Sequence, residues 1–269
     1  MMNQRDTENI EHAVETRYSV SDNQQKKPVV IKVGGHEIGD PAFLRELAMI
    51  VHDFSSPVII VHGGGDEISQ LQKLMQIEPQ YVDGLRVTDA ASLAVVEMVL
   101  CGVVNKRVVR YLVNVGVDAL GMSGVDRGLV RGQKIPNMGF TGTVKGVRED
   151  ILRELLNQAI TPVIAPVCFD DESNLNVNAD IVAGAIGAAV RAERVVFITN
   201  VEGVLVDGQR VDQLTVSEVN ALIENGIIFG GMIPKVRTAL EVLAAGVPQA
   251  TITNLAGLKS GMGTNFVSE

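Results

Sequence analysis

Short apolar runs alternate with helix-forming stretches from residue 28 onward. The first run, Pro-Val-Val-Ile-Lys-Val at 28–33, ends in Gly34 and Gly35, a pattern that predicts a buried strand followed by a tight loop. Asp40 and Pro41 then have the residue types favoured at an N-cap and at the first position of a helix. The apolar run at 57–61, with the three glycines that follow His62, repeats this arrangement.

Strand, glycine loop and helix, twice in succession, indicate a parallel sheet with crossover helices. Residues 129–147 alternate between apolar and polar positions, which predicts a β-hairpin. Further helices are predicted at 89–115, 151–158, 178–191, 215–226 and 232–245, and further strands at 117–122, 161–167, 194–199 and 249–254. The expected fold is therefore α/β, a three-layer αβα sandwich around a mainly parallel sheet.

The domain organisation follows from where this pattern begins. Residues 1–27 are polar with little apolar periodicity, so we expect a flexible tail, with a short helix at 9–16 as the alternative. No linker interrupts the remainder, which we expect to form one domain at 28–269. Two lobes, about 28–170 and about 171–269, fit this domain better than two independent units.

The composition excludes several classes of function. Of the 269 residues 46% are hydrophobic and 20% charged, as in globular proteins, and the net charge of −9 disfavours binding to nucleic acid or to anionic membranes. No apolar run approaches the roughly 18 residues of a membrane span, and no signal peptide is recognisable. The two cysteines, Cys101 and Cys168, lack metal or redox spacing, and the histidines form no ligand motif. We therefore expect a cytoplasmic protein without a protein metal site.

The candidate chemistry lies in the two glycine loops. Ligands of open α/β sheets bind at the carboxyl ends of the strands, and glycine loops there expose backbone N–H groups to phosphate oxygens. Lys32 stands inside the first apolar strand, where burial is costly unless the ammonium meets a negative partner. The sequence has neither a P-loop nor a dinucleotide-binding glycine motif after its first strand.

Six segments carry a resemblance to the amino acid kinase family. In chain order they are 31–35, 62–65, 84–89, 98–106, 176–180 and 230–235. Among them, Gly-Leu-Arg-Val-Thr-Asp at 84–89 is similar to the substrate motif of the family's N-acetylglutamate kinases. The resemblance runs from about residue 28 to about residue 246, with the motifs in the family's order.

The resemblance implies an amino acid kinase-like fold and a role for each matching residue. Catalysis is expected from Lys32 and Lys235, with Asp180 holding both lysines in place. The residues expected to bind the acceptor are Gly64, Gly65, Arg86 and Asn176. Those expected to bind the nucleotide are Gly34, Gly35, Thr199, Asn200, Gly203, Gly231 and Met232. The first lobe is expected to hold the amino-acid substrate and the second the nucleotide.

The implied reaction is transfer of the γ-phosphoryl group of ATP to a carboxylate. An acceptor carboxylate with a pKa near ~4.3 is ionised at pH 7, so no general base is required. The site must instead position two anions and neutralise their charge, which two lysines and backbone N–H groups can do. Mg²⁺ is expected to bind mainly through the nucleotide phosphates.

Three functions stay open on the sequence. The intact 84–89 motif favours phosphorylation of N-acetylglutamate in arginine biosynthesis. The alternatives are a kinase for aminoadipate or glutamate linked to an amino-group carrier protein, and a non-catalytic amino-acid sensor. Asn200 departs from the family pattern, in which aspartate is frequent at this position, and the segment after Asn254 is short. From the two ends of the chain we expect a homodimer that arginine does not inhibit.

Overall fold

The computed structural model describes residues 26–35 and 37–269. The flexible tail expected at 1–27, except for its last two residues, and the alternative helix at 9–16 lie outside the described residues, as does His36. In the described part of the chain, no helix is long and apolar enough to cross a membrane.

The described residues form sixteen strands, most of them short. In chain order they are β1 Val29–Val33, β2 Val58–His62, β3 Gln80–Val82, β4 Leu85–Val87, β5 Ala119–Ser123, β6 Val130–Lys134, β7 Thr141–Val147, β8 Thr161–Ala165, β9 Val167–Phe169, β10 Asn174–Val177, β11 Arg194–Ile198, β12 Leu205–Val206, β13 Gln209–Arg210, β14 Gln213–Thr215, β15 Gln249–Thr253 and β16 Thr264–Val267. The sequence pattern missed those of four residues or fewer, which are too short to show a period.

The same part of the chain forms nine α-helices. In chain order they are α1 Pro41–His52, α2 Gly65–Leu74, α3 Ala90–Glu97, α4 Asn105–Asn114, α5 Glu149–Asn157, α6 Ala179–Val190, α7 Val216–Glu224, α8 Met232–Ala244 and α9 Leu255–Ser260. Asp40 caps α1 by accepting from the N–H of Ala42, as its residue type predicts. Thr215 and Glu218 form the capping box of α7.

The eight-stranded central sheet confirms the expected architecture. Its order is β14-β16-β15-β11-β1-β2-β8-β5, and all neighbours are parallel except β15 and β16. Successive residues of β1 face opposite sides: Val29 and Ile31 join a core with α1, α3 and α4, and Val30 joins a core with α5, α6 and α8. The fold is thus a three-layer αβα sandwich, and β1 and β11 join residues before and after 170 in one sheet.

A small closed barrel lies beside the sheet. Its four strands follow the order β10-β7-β6-β9, and the predicted hairpin is the antiparallel pair β6 and β7. The strand predicted at 161–167 is divided, because its last residue belongs to β9 of the barrel whereas β8 belongs to the sheet. Pro166 lies at the division, where a residue without an N–H cannot continue a ladder.

The predicted helix at 89–115 is continuous but not regular. Between α3 and α4, Met98–Val104 adopts a π-helical conformation, which the sequence pattern did not predict. Leu100 of this segment packs over Gly64, where an added Cβ would lie 2.6 Å from the Leu100 Cδ2. The π-helical segment therefore covers the second glycine loop from behind.

Asn105, the first residue of α4, ties this helix to the sheet. Its buried side-chain amide donates to the carbonyl of Val163 at 2.9 Å, and the carbonyl oxygen of Met122 lies 3.3 Å from the same nitrogen. The same amide lies 3.1 Å from the Nε2 of His62, whose Nδ1 lies 2.9 Å from the Gly63 carbonyl oxygen. Because a carbonyl only accepts, Nδ1 carries the proton and Nε2 accepts from Asn105. His62 is therefore a neutral part of the core behind the second glycine loop.

Burial lowers the pKa of His62 to about 4 from its ordinary 6.5. Below pH 6.5 the unfolded chain binds a proton at His62 that the folded chain does not bind. The free energy of unfolding therefore decreases as the pH is lowered through this range. We expect a loss of about 1.5 kcal/mol of unfolding free energy between pH 6.5 and pH 5. Urea unfolding of the wild type and His62→Gln at both pH values measures it.

The variant His62→Gln should lose this part of the pH dependence whatever its absolute stability. His52→Gln is the matched control, because it makes the same substitution at a side chain that is exposed beside Asp53 rather than buried in the core. Equal pH slopes for His62→Gln and the wild type would contradict the assignment of a neutral buried imidazole.

Candidate active site

The two glycine loops meet backbone to backbone at the carboxyl ends of β1 and β2. The N–H of Gly63 donates to the carbonyl of Val33 at 2.9 Å. A Cβ on Gly35 would lie 2.7 Å from the backbone nitrogen of Gly65 and 2.9 Å from that of Gly64, closer than any side chain tolerates. Only glycine permits this approach, and it brings together the four glycines that the sequence singled out.

Lys32 meets the negative partner that its partly buried position requires. Its Nζ lies 2.8 Å from the Oδ1 of Asp180, and the Lys32 side chain is 16% exposed. Asp180 is the second residue of α6, and its N–H donates to the capping side chain of Asn178 at 2.7 Å. The carboxylate thus lies at the positive end of the α6 dipole and holds the Lys32 ammonium at the first glycine loop.

Lys235 enters the same region from the first turn of α8. Its Nζ donates to the Oγ1 of Thr199 at 3.0 Å and to the Oδ1 of Asn200 at 3.4 Å. The resemblance led us to expect Asp180 to hold both lysines, but among the described residues its ion pair is with Lys32 and not with Lys235. Within the part of the chain that the structure describes, these neutral oxygens after β11 hold the Lys235 ammonium, and they do not cancel its charge.

These groups line a cleft of about 310 Å³ at the carboxyl edge of the sheet. Its lining residues are Lys32, Gly34, Gly35, Glu37, Asp180, Phe197, Ile198, Thr199, Asn200, Lys235 and Thr238. Two ammonium groups and the amino ends of α6 and α8 direct positive charge and helix dipoles at this cleft, an arrangement that favours anions. A larger cleft, of about 1230 Å³, opens near the amino ends of β1 and β11 and contains none of the predicted site residues.

Arg86 of β4 lies beside the second glycine loop. Its Nη2 donates to the carbonyl of Gly65 at 3.3 Å and to the Oγ of Ser69 at 2.8 Å, and its Nη1 donates to the Oε1 of Gln72. The Tyr81 ring covers one face of the guanidinium, 4.9 Å from its carbon to the ring centroid. Burial lowers the pKa of Arg86 from its ordinary value.

Asn176 of β10 contacts the segment that carries Arg86. Its Nδ2 donates to the Oγ1 of Thr88 at 3.0 Å, and Thr88 in turn donates to the carbonyl of Arg86 at 3.1 Å. The hydroxyl of Thr141 on β7 adds a 3.1 Å bond to Thr88. The barrel therefore braces the Arg86 segment, and these contacts link Asn176 through Thr88 to Arg86 and Gly65, none of which lines the 310 Å³ cleft itself.

Three predicted nucleotide residues lie outside the lining of the 310 Å³ cleft, namely Gly203, Gly231 and Met232. Gly203 has a φ of +148° and closely approaches Thr264, so its place after β11 requires glycine. Gly231 and Met232 form the start of α8, the helix that carries Lys235.

The sequence did not single out Glu37, Ser69 or Gln72. The Oε2 of Glu37 would lie 2.6 Å from a Cβ on Gly34, so its carboxylate lies against the first glycine loop and lines the cleft. Ser69 and Gln72 stand four and seven residues after Gly65 on α2, a spacing that places all three on one helical face. This spacing could have predicted from the sequence that the three residues share a face. That the face binds Arg86 is known only from the contacts in the structure.

The donor set bears on whether the site could hold Mg²⁺. Within the described residues, no group of three or more His, Cys, Asp or Glu side chains could hold a metal ion. Glu37 and Asp180 are the carboxylates of the cleft lining, and Asp180 is paired with Lys32. Such a site fits a Mg²⁺ that arrives on a nucleotide and keeps several waters, because Mg²⁺ commonly binds through substrate phosphates.

Comparison with known proteins places this architecture in one family. A model of the amino acid kinase family matches residues 27–254. The protein named acetylglutamate kinase of Roseiflexus castenholzii (strain DSM 13941 / HLO8) is 49% identical over 255 residues, 93% of this chain and 98% of that protein.

Solved structures show the same fold. The structure of smu.665 from Streptococcus mutans UA159 matches with a TM-score of 0.76 at 30% identity, over 89% of this chain and 98% of that one. Carbamate kinase from Giardia lamblia bound to AMP-PNP matches with a TM-score of 0.67 over 91% of this chain and 99% of that one. Its 16% identity supports the fold alone.

Proposed function

The chain belongs to the amino acid kinase family, and on that premise we propose that it transfers the γ-phosphoryl group of ATP to the γ-carboxylate of N-acetylglutamate, a step of arginine biosynthesis. The observation that carries the proposal is the adjacency of a lysine-lined anion cleft and the Arg86 side chain across paired glycine loops. Relatives that are 47–49% identical over most of the chain and named acetylglutamate kinase support this acceptor.

The reaction needs charge neutralisation more than proton transfer. An oxygen of the ionised carboxylate forms a bond to the γ-phosphorus, and the bond from that phosphorus to the β–γ bridging oxygen breaks, leaving its electron pair on ADP. No proton moves in this step, which suits the neutral state of His62, the described histidine behind the second glycine loop, whose two ring nitrogens are both hydrogen-bonded. Catalysis then rests on positioning and on electrostatic stabilisation of the transferring group.

The two lysines contribute differently to that stabilisation. Lys32 is partly neutralised by Asp180 but fixed by it, so its ammonium is pre-positioned at the first glycine loop. Lys235 keeps its full charge because Thr199 and Asn200 are neutral. Backbone N–H groups of Gly34, Gly35, Gly64 and Gly65 complete the set of donors to the phosphates and the transferring group. Mg²⁺, when bound with the nucleotide, supplies further neutralisation of the phosphate charge.

The acceptor and the nucleotide are assigned to different lobes. We assign the acceptor to the lobe at about 28–170, at Gly64 and Gly65, with its α-carboxylate on the Arg86 guanidinium. Asn176, on β10 just beyond that boundary, is assigned to the α-carboxylate or the amide end of the acceptor. We assign the nucleotide to the second lobe, where Thr199, Asn200, Gly203, Gly231 and Met232 follow β11 or begin α8.

A homodimer in the cytoplasm completes the proposal. Exposed apolar side chains follow the long helix, at Met98, Val103 and Val113, and Leu120 is exposed on β5, the edge strand of the sheet. An apolar face beside an open edge favours pairing with a second copy. The net charge of −9 argues against nucleic acid as a partner.

The proposal is tested by assaying the purified protein with ATP, Mg²⁺ and N-acetylglutamate, and in parallel with glutamate, with aminoadipate and with each of these two linked to an amino-group carrier protein. We expect ADP release and an acyl phosphate, trapped as the hydroxamate, with N-acetylglutamate alone. Activity only with a carrier-protein-linked amino acid would identify the other acceptor, and ATP binding without turnover of any acceptor would identify a sensor.

Removal of either cleft lysine should lower kcat by roughly 10²–10³-fold, as for the loss of one donor to a developing charge. Lys235→Ala is the cleaner variant, because it leaves only neutral partners and should keep the wild-type Tm. Lys32→Ala leaves Asp180 unpaired and should also lower Tm. Steady-state kinetics and thermal unfolding measure both effects, with the exposed Lys145→Ala as control. Near-normal kcat in folded Lys235→Ala would contradict the mechanism.

Arg86→Lys should raise KM for N-acetylglutamate by roughly tenfold or more while KM for ATP stays near wild type. A planar guanidinium can hold a carboxylate through two parallel N–H bonds, and an ammonium cannot. The initial rates are measured with each substrate varied in turn. Equal changes in both KM values would remove Arg86 from the acceptor site.

A further inference from the structure

One face of α2 accepts hydrogen bonds from the Arg86 side chain. Gly65, Ser69 and Gln72 lie on that face at successive turns, and each accepts a hydrogen bond from the guanidinium. A long arginine side chain loses conformational entropy when it is fixed in one rotamer. Because three acceptors on one rigid helix already fix Arg86 in the folded protein, less of this entropy is lost when a ligand binds. The face is therefore built to fix Arg86 before any substrate arrives.

Gln72 is the most constrained member of this face. It is fully buried, and its Nε2 donates to the Oγ of Ser92 at 2.9 Å. Ser92 lies in the first turn of α3, where its N–H donates to the capping carboxylate of Asp89 at 2.7 Å. Arginine can only donate, so the amide oxygen of Gln72 must face Arg86 and its NH₂ must face Ser92. Hydrogen bonds thus link Arg86 through Gln72 and Ser92 to Asp89, the last residue of the substrate motif at 84–89.

The acceptors that fix Arg86 are all uncharged. They are a carbonyl, a hydroxyl and an amide oxygen, and within the described residues no carboxylate lies within ion-pair distance of this guanidinium. Arg107, by contrast, is held by the Glu67 carboxylate on the same helix. Neutral acceptors orient a cation without cancelling its charge, so the charge of Arg86 stays available to an anion.

We propose that Gln72 is a positioning residue that orients Arg86 for the carboxylate of the acceptor and, by being an amide rather than an acid, reserves the guanidinium charge for that carboxylate. This inference rests on the proposed function, because it takes N-acetylglutamate as the ligand of Arg86. It adds that binding of the acceptor requires the buried side chain of Gln72 to be uncharged, although Gln72 does not touch the substrate.

The decisive variant is Gln72→Glu, which changes charge and almost nothing else. The new carboxylate can accept from Arg86 as the amide oxygen does, and the Ser92 hydroxyl can rotate to donate to its second oxygen. Both hydrogen bonds survive, so Tm should not fall. The Kd for N-acetylglutamate, measured by calorimetry without ATP, should rise roughly ten- to hundredfold, the usual weight of a hydrogen bond to a charged group. KM for ATP should stay unchanged.

Gln70→Glu is the matched control, because it adds the same charge to an exposed position on the same helix. Its Kd should stay within about twofold of wild type, since exposed charges are screened. Gln72→Met removes both hydrogen bonds without adding charge and should raise the Kd by a smaller factor, with kcat at saturation little changed.

Each outcome of this series decides the proposal. Wild-type Kd values in a folded Gln72→Glu protein would overturn it, as would a rise that Gln70→Glu reproduces. If Gln72→Glu does not fold, a wild-type Kd in Gln72→Met overturns it and a selective rise for the acceptor supports it. A wild type that neither binds nor phosphorylates N-acetylglutamate would overturn the proposed function, and this inference with it.

Discussion

The close approach of two backbone loops at the carboxyl edge of the sheet is the constraint on which the site depends. Gly35 can lie against the nitrogens of Gly64 and Gly65 only because it has no Cβ. This contact sets the distance between the start of α2 and the end of β1, and with it the distance between the acceptor side and Lys32. The π-helical segment at Leu100 and the amide of Asn105 hold the second loop in that place from behind.

The cations of the site differ in how they are held, and the difference follows from what each must do. Lys32 starts inside an apolar strand and cannot be left without an anion, so Asp180 accompanies it at the amino end of α6. Lys235 and Arg86 are held by neutral oxygens and keep their charge for ligands. A protein with a net charge of −9 can in this way present local positive charge to two anionic substrates.

The barrel and helix α3 both fix parts of the acceptor side in place. Asn176 and Thr141 reach from barrel strands to the Arg86–Thr88 segment, so the barrel fixes the backbone on which Arg86 stands. Ser92, at the start of α3, fixes the side chain of Gln72 on α2. The acceptor side is therefore preorganised by elements that lie on three sides of it, which limits the ordering cost of binding.

The sequence by itself determined the layered α/β fold, the two glycine loops, the cap at Asp40, and the family motifs, because each is encoded in residues a few positions apart. It could not determine which cation meets which partner. Lys32 pairs with Asp180, and Lys235 with Thr199, only because the sheet order places β1, β11 and the starts of α6 and α8 at one edge. The division at Pro166 and the buried role of Gln72 were likewise decided by tertiary structure. The passage of the chain from the central sheet to the barrel, and the hydrogen bond between Gln72 of α2 and Ser92 of α3, both depend on contacts between distant parts of the chain. A local periodic pattern contains no record of such contacts.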